Sequence, residues 1–182
     1  RRTFEYDKVN RLVKRSFGGK TEAFAYDDVG NMTSASNVNA LTTFTYDSCN
    51  RMTYSYLTIY PGSGVTSSKR YFTSYYKRDL GGLVTNVTYG STSKAVSRTY
   101  DESGNLTSVK DWLGHTWTFQ YDAAGKMTRR TSPDGVNSTF TYDAAERLIG
   151  WKVGNIAGRD IELDAAGRRL QDTITAGAMP RA

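Results

Sequence analysis

The sequence has very few residues of the kinds that cross-link a small fold or bind a metal. It contains one cysteine, Cys49, one histidine, His115, and three prolines among 182 residues. A lone cysteine cannot close a disulfide within the chain, and a single imidazole leaves no two-histidine metal site. We therefore expect Cys49 to be an inert thiol and His115 an exposed turn residue, with no catalytic residue, metal or cofactor.

Long hydrophobic segments are also missing. No apolar run reaches the roughly 18 residues of a membrane-spanning helix, and the opening Arg1-Arg2-Thr3-Phe4 has neither an initiator methionine nor a signal-peptide core. We therefore expect a piece of a longer protein without a membrane span. The net charge of +6 comes from scattered lysines and arginines, which favours a solvated basic surface. The 13 tyrosines, 7 phenylalanines and 17 glycines favour strands and tight turns.

One pattern recurs along the chain: aromatic, any residue, Tyr, Asp, two variable residues, Gly or Asn, a polar residue, then Leu or Met. The Tyr-Asp pairs of its six clear copies are Tyr6-Asp7, Tyr26-Asp27, Tyr46-Asp47, Tyr100-Asp101, Tyr121-Asp122 and Tyr142-Asp143, with glycines Gly30, Gly104 and Gly125 in three of the turns. A worn seventh copy starts at Ile161 and carries one extra residue before Leu170. The spacing is 20 residues in the first three copies and 21 from Tyr100 onward.

Each copy predicts a β-hairpin. Phe-x-Tyr places two rings on one strand face, which we expect to be buried. Asp-x-x-Gly is typical of a type I turn whose fourth residue is left-handed, with the carboxylate accepting a backbone N–H two residues on. Asn10, Asn50 and Glu146 take the glycine position in three copies, and a strain of about 1 kcal/mol is expected at Glu146. Tyr26 should then lie opposite Met32, as its equivalents should in every copy.

Further turn signals between the motifs return the chain to the next Phe-x-Tyr. They are Gly18-Gly19-Lys20, Leu113-Gly114-His115, Ser132-Pro133-Asp134-Gly135 and Gly154-Asn155. We therefore predict an all-β fold of tandem hairpins of about 20–21 residues, forming a β-solenoid or a spiralling antiparallel sheet. A single domain over 1–182 is expected, with regular repeats at 1–53 and 100–182 and an irregular repeat with a longer loop at 54–99.

The segment Tyr100-Asp101-Glu102-Ser103-Gly104-Asn105-Leu106, together with the Ser-Pro-Asp-Gly turn at 132–135, resembles the YD repeat of bacterial Rhs proteins. Similar repeats occur in wall-associated bacterial proteins, in the B and C components of Tc toxins and in teneurins. The resemblance implies a secreted or cell-surface protein in which a β-sheet winds into a shell around a C-terminal toxin. Neither the conserved core region nor the autoproteolytic segment of that family is found before Ala182, and seven or eight repeats are too few to close a shell. We therefore expect a structural piece of the wall without catalysis, or a short free-standing relative. The expected partners are the rest of a larger Rhs-type chain or a toxin cargo.

An alternative function rests on the irregular segment 54–89, which gathers tyrosines and cations outside the motif. The candidate ligand-binding residues are Tyr54, Tyr56, Tyr60, Lys69, Arg70, Tyr75, Tyr76, Lys77 and Arg78. Sugars and nucleobases stack on aromatic rings, and anionic glycans are drawn to cations. Carbohydrate or polyanion binding is thus one hypothesis, and ordinary cross-strand packing is the other. We also expect open sheet ends to allow end-to-end self-association.

The remaining candidate sites have simpler explanations. Turn capping accounts for the repeated aspartates better than a calcium site, because they lack the close acidic neighbours of a calcium cage. Four Asn-x-Ser/Thr patterns begin at Asn31, Asn86, Asn105 and Asn137. Two of these are the motif's own Gly-Asn-Leu/Met followed by Thr, so chance explains them. Trp112 and Trp117 are a weaker candidate for ring stacking.

Overall fold

A computed structural model describes residues 1–61, 68–90 and 94–176. All regular elements of these residues are β-strands, whose order follows the chain. The strands are β1 (Arg2–Tyr6), β2 (Leu12–Phe17), β3 (Lys20–Tyr26), β4 (Met32–Asn37), β5 (Ala40–Tyr46), β6 (Met52–Ile59), β7 (Arg70–Arg78), β8 (Val84–Tyr89), β9 (Lys94–Tyr100), β10 (Leu106–Lys110), β11 (Thr116–Tyr121), β12 (Met127–Thr131), β13 (Asn137–Tyr142), β14 (Leu148–Val153), β15 (Ala157–Leu163) and β16 (Arg169–Ala176). The predicted all-β class of tandem hairpins is confirmed, with antiparallel pairing of successive strands.

The chain divides into two compact units, Arg1–Val96 and Ser97–Ala182. In the first unit β1 to β8 pair in order, and in the second unit β9 to β16 do the same. Residues 62–67 and 91–93 of the irregular section predicted at 54–99 lie outside the described residues. The division into regular and irregular sections of one domain stays a prediction.

The predicted turn forms in the repeats. In the second copy the Asp27 N–H donates to the Asn31 carbonyl at 2.9 Å and the Gly30 N–H to the Asp27 carbonyl at 3.2 Å. Gly30 has a φ of 98°. The non-glycine residues at this position, Asn10, Asn50 and Glu146, have φ values of 63°, 59° and 66°. The left-handed residue expected after each Asp-x-x is therefore confirmed.

The predicted pairing of each motif tyrosine with Leu or Met is also confirmed. The pairs are Tyr6↔Leu12, Tyr26↔Met32, Tyr46↔Met52, Tyr100↔Leu106, Tyr121↔Met127 and Tyr142↔Leu148, and the register shifts beside each of these pairs. In the seventh copy the prediction is wrong, because Leu163 pairs with Arg169 and not with Leu170. Its turn closes between Asp164 and Arg168 as in the other copies, so the copy has no extra residue.

The second turn of each repeat explains the two spacings. In the first unit two residues join Phe17 to its partner Lys20, and two join Asn37 to Ala40. In the second unit the paired Lys110 and Thr116 enclose five residues, which form another bulged turn with the Gly114 N–H on the Asp111 carbonyl. The longer turn replaces part of the ladder, so the equivalent partners Ser108 and Thr118 are 10 residues apart whereas Lys14 and Ala23 are 9 apart, and the repeat gains one residue.

Exposure alternates along the strands, as the Phe-x-Tyr pattern predicts. In β13 Phe140 and Tyr142 are half-buried, while Thr139 and Thr141 are exposed. We call the side that carries the motif's rings the ring face and the opposite side, rich in Ser and Thr, the hydroxyl face.

The expected full burial of the ring face is wrong. Among the described residues only the side chains of Val87, Thr58 and Ser138 are buried, and Phe4 and Tyr6 are 52% and 58% exposed. The rings contact mainly neighbouring side chains within the sheet. Such lateral contacts leave the ring surface that points away from the sheet exposed to solvent.

Candidate functional site: the joint between repeats

Each turn aspartate makes several hydrogen bonds with its own turn. Asp47 Oδ1 accepts the N–H groups of Cys49 and Arg51 at 2.9 and 3.0 Å, and Asp47 Oδ2 accepts Arg51 Nε at 2.8 Å. The Arg51 backbone N–H is the largest cause that lowers the pKa of Asp47, and the Arg51 side chain adds to it against the opposing effect of burial. The carboxylate therefore caps the turn in its ionised form.

The polar residue after the left-handed position completes the cap. Side-chain nitrogens of Arg11, Asn31, Arg51, Asn105, His115, Lys126, Arg147 and Arg168 all contact the second carboxylate oxygen of the aspartate four residues earlier. His115 is one of these, with Nδ1 2.9 Å from Asp111 Oδ2 and a side chain that is 54% exposed. The sequence did carry this signal, since every one of these residues is a nitrogen donor.

The motif tyrosines join one repeat to the preceding one. Their hydroxyls donate to the main-chain carbonyl of the preceding copy's Leu or Met: Tyr26 to Leu12 at 3.0 Å, Tyr46 to Met32 at 2.7 Å, Tyr121 to Leu106 at 2.9 Å and Tyr142 to Met127 at 2.9 Å. The strand ladder between these copies stops short of that carbonyl; the β2–β3 ladder, for example, ends at Lys14↔Ala23. The hydroxyl thus supplies a partner where the backbone ladder has ended.

These hydroxyls lie in partly desolvated surroundings. Burial, followed by the charge of Asp27, raises the pKa of Tyr46, and burial with the charge of Asp101 raises the pKa of Tyr121. Each of these aspartates belongs to the copy whose carbonyl accepts the hydroxyl. Tyr46 and Tyr121 therefore stay protonated donors under ordinary conditions.

Residues 75–83, within the irregular section, form an eroded copy of the motif in which Arg78 stands at the tyrosine position. The Asp79 turn has the repeat's geometry, with the Gly82 N–H 3.1 Å from the Asp79 carbonyl. From the tyrosine position Arg78 Nη2 donates to the Met52 carbonyl at 3.2 Å and Nη1 to the Gly82 carbonyl at 3.3 Å. The guanidinium thus makes the same bond to the preceding copy that tyrosine makes elsewhere.

A second set of contacts links neighbouring turns directly. Arg11 Nη1 donates to the Asp27 carbonyl at 2.8 Å, and Asn31 Nδ2 donates to Asn50 Oδ1 at 2.9 Å. In the second unit Lys126 Nζ lies 3.0 Å from Glu146 Oε1. We call the tyrosine hydroxyl bond and this turn contact together the joint.

Four tyrosines of β6 and β7 stand together on the hydroxyl face. Tyr54 lies 4.6 Å from its cross-strand partner Tyr75 and 6.3 Å from Tyr56, and Tyr56 lies 5.8 Å from Tyr71, measured between ring centroids. Tyr71 and Tyr75 are 56% and 47% exposed. We call these four residues the tyrosine ladder.

The other predicted ligand-binding residues do not gather around this ladder. Tyr76 pairs with Val87 and Arg70 with Ile59, positions on the ring face. Lys69 Nζ lies 5.2 Å from the centre of the Tyr60 ring. Lys77 follows Tyr75 on the ladder's own face. The predicted set is thus split between two faces, and Arg78 is bonded within the joint.

Metal ligands are not clustered in the described part of the chain. Within 1–61, 68–90 and 94–176 no group of three His, Cys, Asp or Glu residues could hold a metal ion. In the same ranges no helix has the length and hydropathy to cross a membrane.

The RHS Repeat family model matches residues 100–136, which hold the Tyr100 and Tyr121 turns and the joint between them. This part of the chain is similar to the RHS repeat. The resemblance drawn from the Tyr-Asp motifs is thereby confirmed. No curated protein sequence matches this chain significantly.

Solved structures show the same fold in much longer chains. In the crystal structure of TcdB2-TccC3-Cdc42 the similarity covers 98% of this chain and 10% of that one, with a TM-score of 0.78 and 15% identity. For TcdB2-TccC3 the similarity covers 98% of this chain and 11% of that one, with a TM-score of 0.78 and 15% identity. For TcdB2-TccC3 without its hypervariable C-terminal region the similarity covers 98% of this chain and 12% of that one, with a TM-score of 0.66 and 13% identity. The chain thus spans about a tenth of the length of these proteins.

Proposed function

We propose that this chain is a structural segment of the wall of an Rhs-type shell, in a secreted, cell-surface or toxin-associated protein, and that it has no reaction of its own. The joint is the observation that carries the proposal. It recurs at Tyr26, Tyr46, Tyr121 and Tyr142 with hydroxyl-to-carbonyl distances of 2.7–3.0 Å. The fold shared with TcdB2-TccC3 over 98% of the chain supports it.

The joint suits a wall because its bonds fix the position of each repeat relative to the preceding repeat. A copy adds two strands by a backbone ladder, and its tyrosine then fixes it against the turn end of the preceding copy. The bonds along the joint use backbone carbonyls and turn residues of the chain itself. A sheet built in this way extends repeat by repeat, with stability set by nearest-neighbour contacts.

The proposed partners follow from the proposed wall. Further repeats of a longer chain would continue the sheet, and a toxin polypeptide would be the enclosed cargo. The activity of such a protein would then reside outside these residues, with the wall excluding solvent components and proteases from the cargo.

Cryo-electron microscopy of the full-length protein that contains this chain tests the proposal. We expect these strands to form part of a curved sheet around an internal volume that holds polypeptide. A sheet whose two faces are both packed by other domains of the protein would refute the wall.

Carbohydrate or polyanion binding at the tyrosine ladder is the second candidate function. The observation that favours it is the position of four rings, two of them half-exposed, on a face otherwise rich in Ser and Thr. Their mutual contacts also fit the competing hypothesis of cross-strand packing, in which the ladder stabilises the β6–β7 hairpin. Among the predicted cations of β7, Lys77 lies on this face while Arg70 and Arg78 do not, which favours a neutral glycan over a polyanion.

A glycan array and a heparin column distinguish these hypotheses. Neutral-glycan binding should persist at high salt and be lost in the Tyr71→Ala, Tyr75→Ala double variant. Polyanion binding should weaken strongly with salt, because exposed charges are screened. If neither probe binds, the ladder is a packing feature.

A further inference from the structure

The eroded copy at 75–83 meets the preceding repeat through a glycine and an arginine. Its left-handed residue is Gly82, with a φ of 91°. A β-carbon built on Gly82 would lie 2.7 Å from Nη1 of Arg51, the residue that caps the preceding turn. The optimal separation of non-bonded heavy atoms is about 3.5–4.0 Å. The guanidinium therefore occupies the space that a side chain at residue 82 would need.

The last copy repeats this contact in the second unit. Leu163 stands at its tyrosine position, and Gly167, with a φ of 83°, is its left-handed residue. A β-carbon on Gly167 would again lie 2.7 Å from Nη1 of the preceding cap residue, Arg147. Arg147 Nη2 also donates to the Asp164 carbonyl at 3.4 Å. Both copies that lack the motif tyrosine in the described part of the chain thus have the same arginine–glycine contact.

An arginine cap takes a different position where the next copy has its tyrosine. The guanidinium carbon of Arg11 lies 4.9 Å from the centre of the Tyr26 ring, and Nη1 donates to the Asp27 carbonyl at 2.8 Å. Gly30 in that copy has a φ of 98°. A β-carbon on Gly30 would nevertheless have no non-neighbouring atom of the described residues within 4 Å. The attraction between ring and cation therefore holds the guanidinium away from the left-handed residue.

Copies with a tyrosine also follow caps other than arginine. Lys126 Nζ lies 5.9 Å from the centre of the Tyr142 ring and 3.0 Å from Glu146 Oε1. In the first unit Asn31 Nδ2 donates to Asn50 Oδ1 at 2.9 Å. The left-handed position beside a tyrosine thus accepts asparagine or glutamate, whereas it is glycine in both described copies without one.

We propose that the arginine–glycine contact replaces the tyrosine ring in the joint, so that a repeat without the motif tyrosine fits a preceding repeat whose cap is arginine. The partner that such a repeat recognises is a turn of the form Asp-x-x-x-Arg, and its own requirement is glycine at the left-handed position. One residue from each neighbour therefore restricts the order of repeats. This neighbour rule rests on the joint proposed for the wall, and it would hold equally in a sheet that encloses no cargo.

A double-mutant cycle between the cap and the glycine tests the neighbour rule. Gly82→Ala adds only a β-carbon, and Arg51→Asn keeps the turn capped, as Asn31 does in its own turn. Native-state hydrogen exchange of the Asp79 N–H, which bonds to the Leu83 carbonyl at 3.0 Å, measures the equilibrium constant for local opening of this turn. We expect Gly82→Ala to raise that constant about threefold to tenfold more in the original chain than in the Arg51→Asn chain.

Arg11 and Gly30 provide the matched control. Gly30 has nearly the same φ as Gly82 and also follows an arginine cap, so alanine brings similar backbone strain. Because Arg11 leaves the space beside Gly30 open, Gly30→Ala should raise the opening constant of the Asp27 N–H by the same factor, within about twofold, with and without Arg11→Asn. Equal factors in the Gly82 cycle, or a similar coupling in both cycles, would overturn the proposal.

A variant without a strained alanine gives a second test. Arg78→Tyr supplies the missing ring, and Arg51 should then move from Gly82 onto that ring, as Arg11 lies on Tyr26. The side-chain protons of residue 51 should shift upfield in NMR spectra because of the ring current. The coupling between residues 51 and 82 should then disappear. Unchanged proton shifts in a folded Arg78→Tyr chain, or a coupling that persists in it, would contradict the replacement of the ring by the arginine–glycine contact.

Discussion

Replacing Tyr121 with Phe removes the joint's hydroxyl and keeps its ring. The hydroxyl donates to the Leu106 carbonyl at 2.9 Å from half-buried surroundings. A protein hydrogen bond contributes about 0.5–1.5 kcal/mol net, and partial access of water places this one near ~1 kcal/mol. The Leu106 carbonyl would lose its hydroxyl donor. The β10–β11 ladder supplies no backbone donor in its place, because that ladder ends at Ser108↔Thr118, two residues beyond Leu106.

Urea denaturation followed by circular dichroism measures the loss as a lower midpoint with an unchanged slope. Tyr71→Phe is the matched control, because Tyr71 is 56% exposed and its hydroxyl makes no hydrogen bond within the described ranges. We expect the control to stay within about 0.3 kcal/mol of the original chain. Equal midpoints for the two variants would refute the role assigned to the motif tyrosine.

Three further predictions concern the turns and the eroded copy at 75–83. Glu146→Gly should raise stability by up to about 1 kcal/mol, because Glu146 has a φ of 66° and its side chain in the salt bridge to Lys126 is exposed; a lower melting temperature would contradict this. The turn aspartates have pKa values below their ordinary 3.8. The stability that they add is therefore present above pH 3.8 and is lost as the pH falls through the pKa of the folded state. Melting temperatures should drop between about pH 5 and pH 2, and Asp47→Asn should lessen the drop. Arg78→Tyr should keep the midpoint near that of the original chain, whereas Arg78→Ala should lower it by about 1 kcal/mol or more; equal effects of the two changes would argue against the tyrosine-like role of Arg78.

The turns and strand pairs could be predicted because their signals are local. A left-handed φ requires Gly, Asn or a strained residue such as Glu146, and an aspartate before it indicates a capped turn. The pairing of Tyr26 with Met32 then follows from the length of that turn. In the last copy a preference for an aliphatic partner led to Leu170, although the turn length alone gives Arg169.

The joint could not be predicted because one of its partners is a backbone carbonyl. The Leu106 carbonyl that accepts the Tyr121 hydroxyl leaves no trace in residue type, and the donor follows 15 residues later. For the same reason Arg78 appeared to be a free cation. The degree of burial could not be predicted either. Period-two alternation indicates which face carries the rings, but it does not indicate whether another layer covers that face.

Native-state hydrogen exchange of the Tyr142→Phe variant tests the joint most directly. The Tyr142 hydroxyl bonds to the Met127 carbonyl at 2.9 Å, so its loss should speed exchange in β12 and β13 while β1 to β4 keep their original rates. Unchanged exchange in β12 and β13, or equal acceleration throughout the sheet, would contradict a wall held together repeat by repeat through its tyrosines.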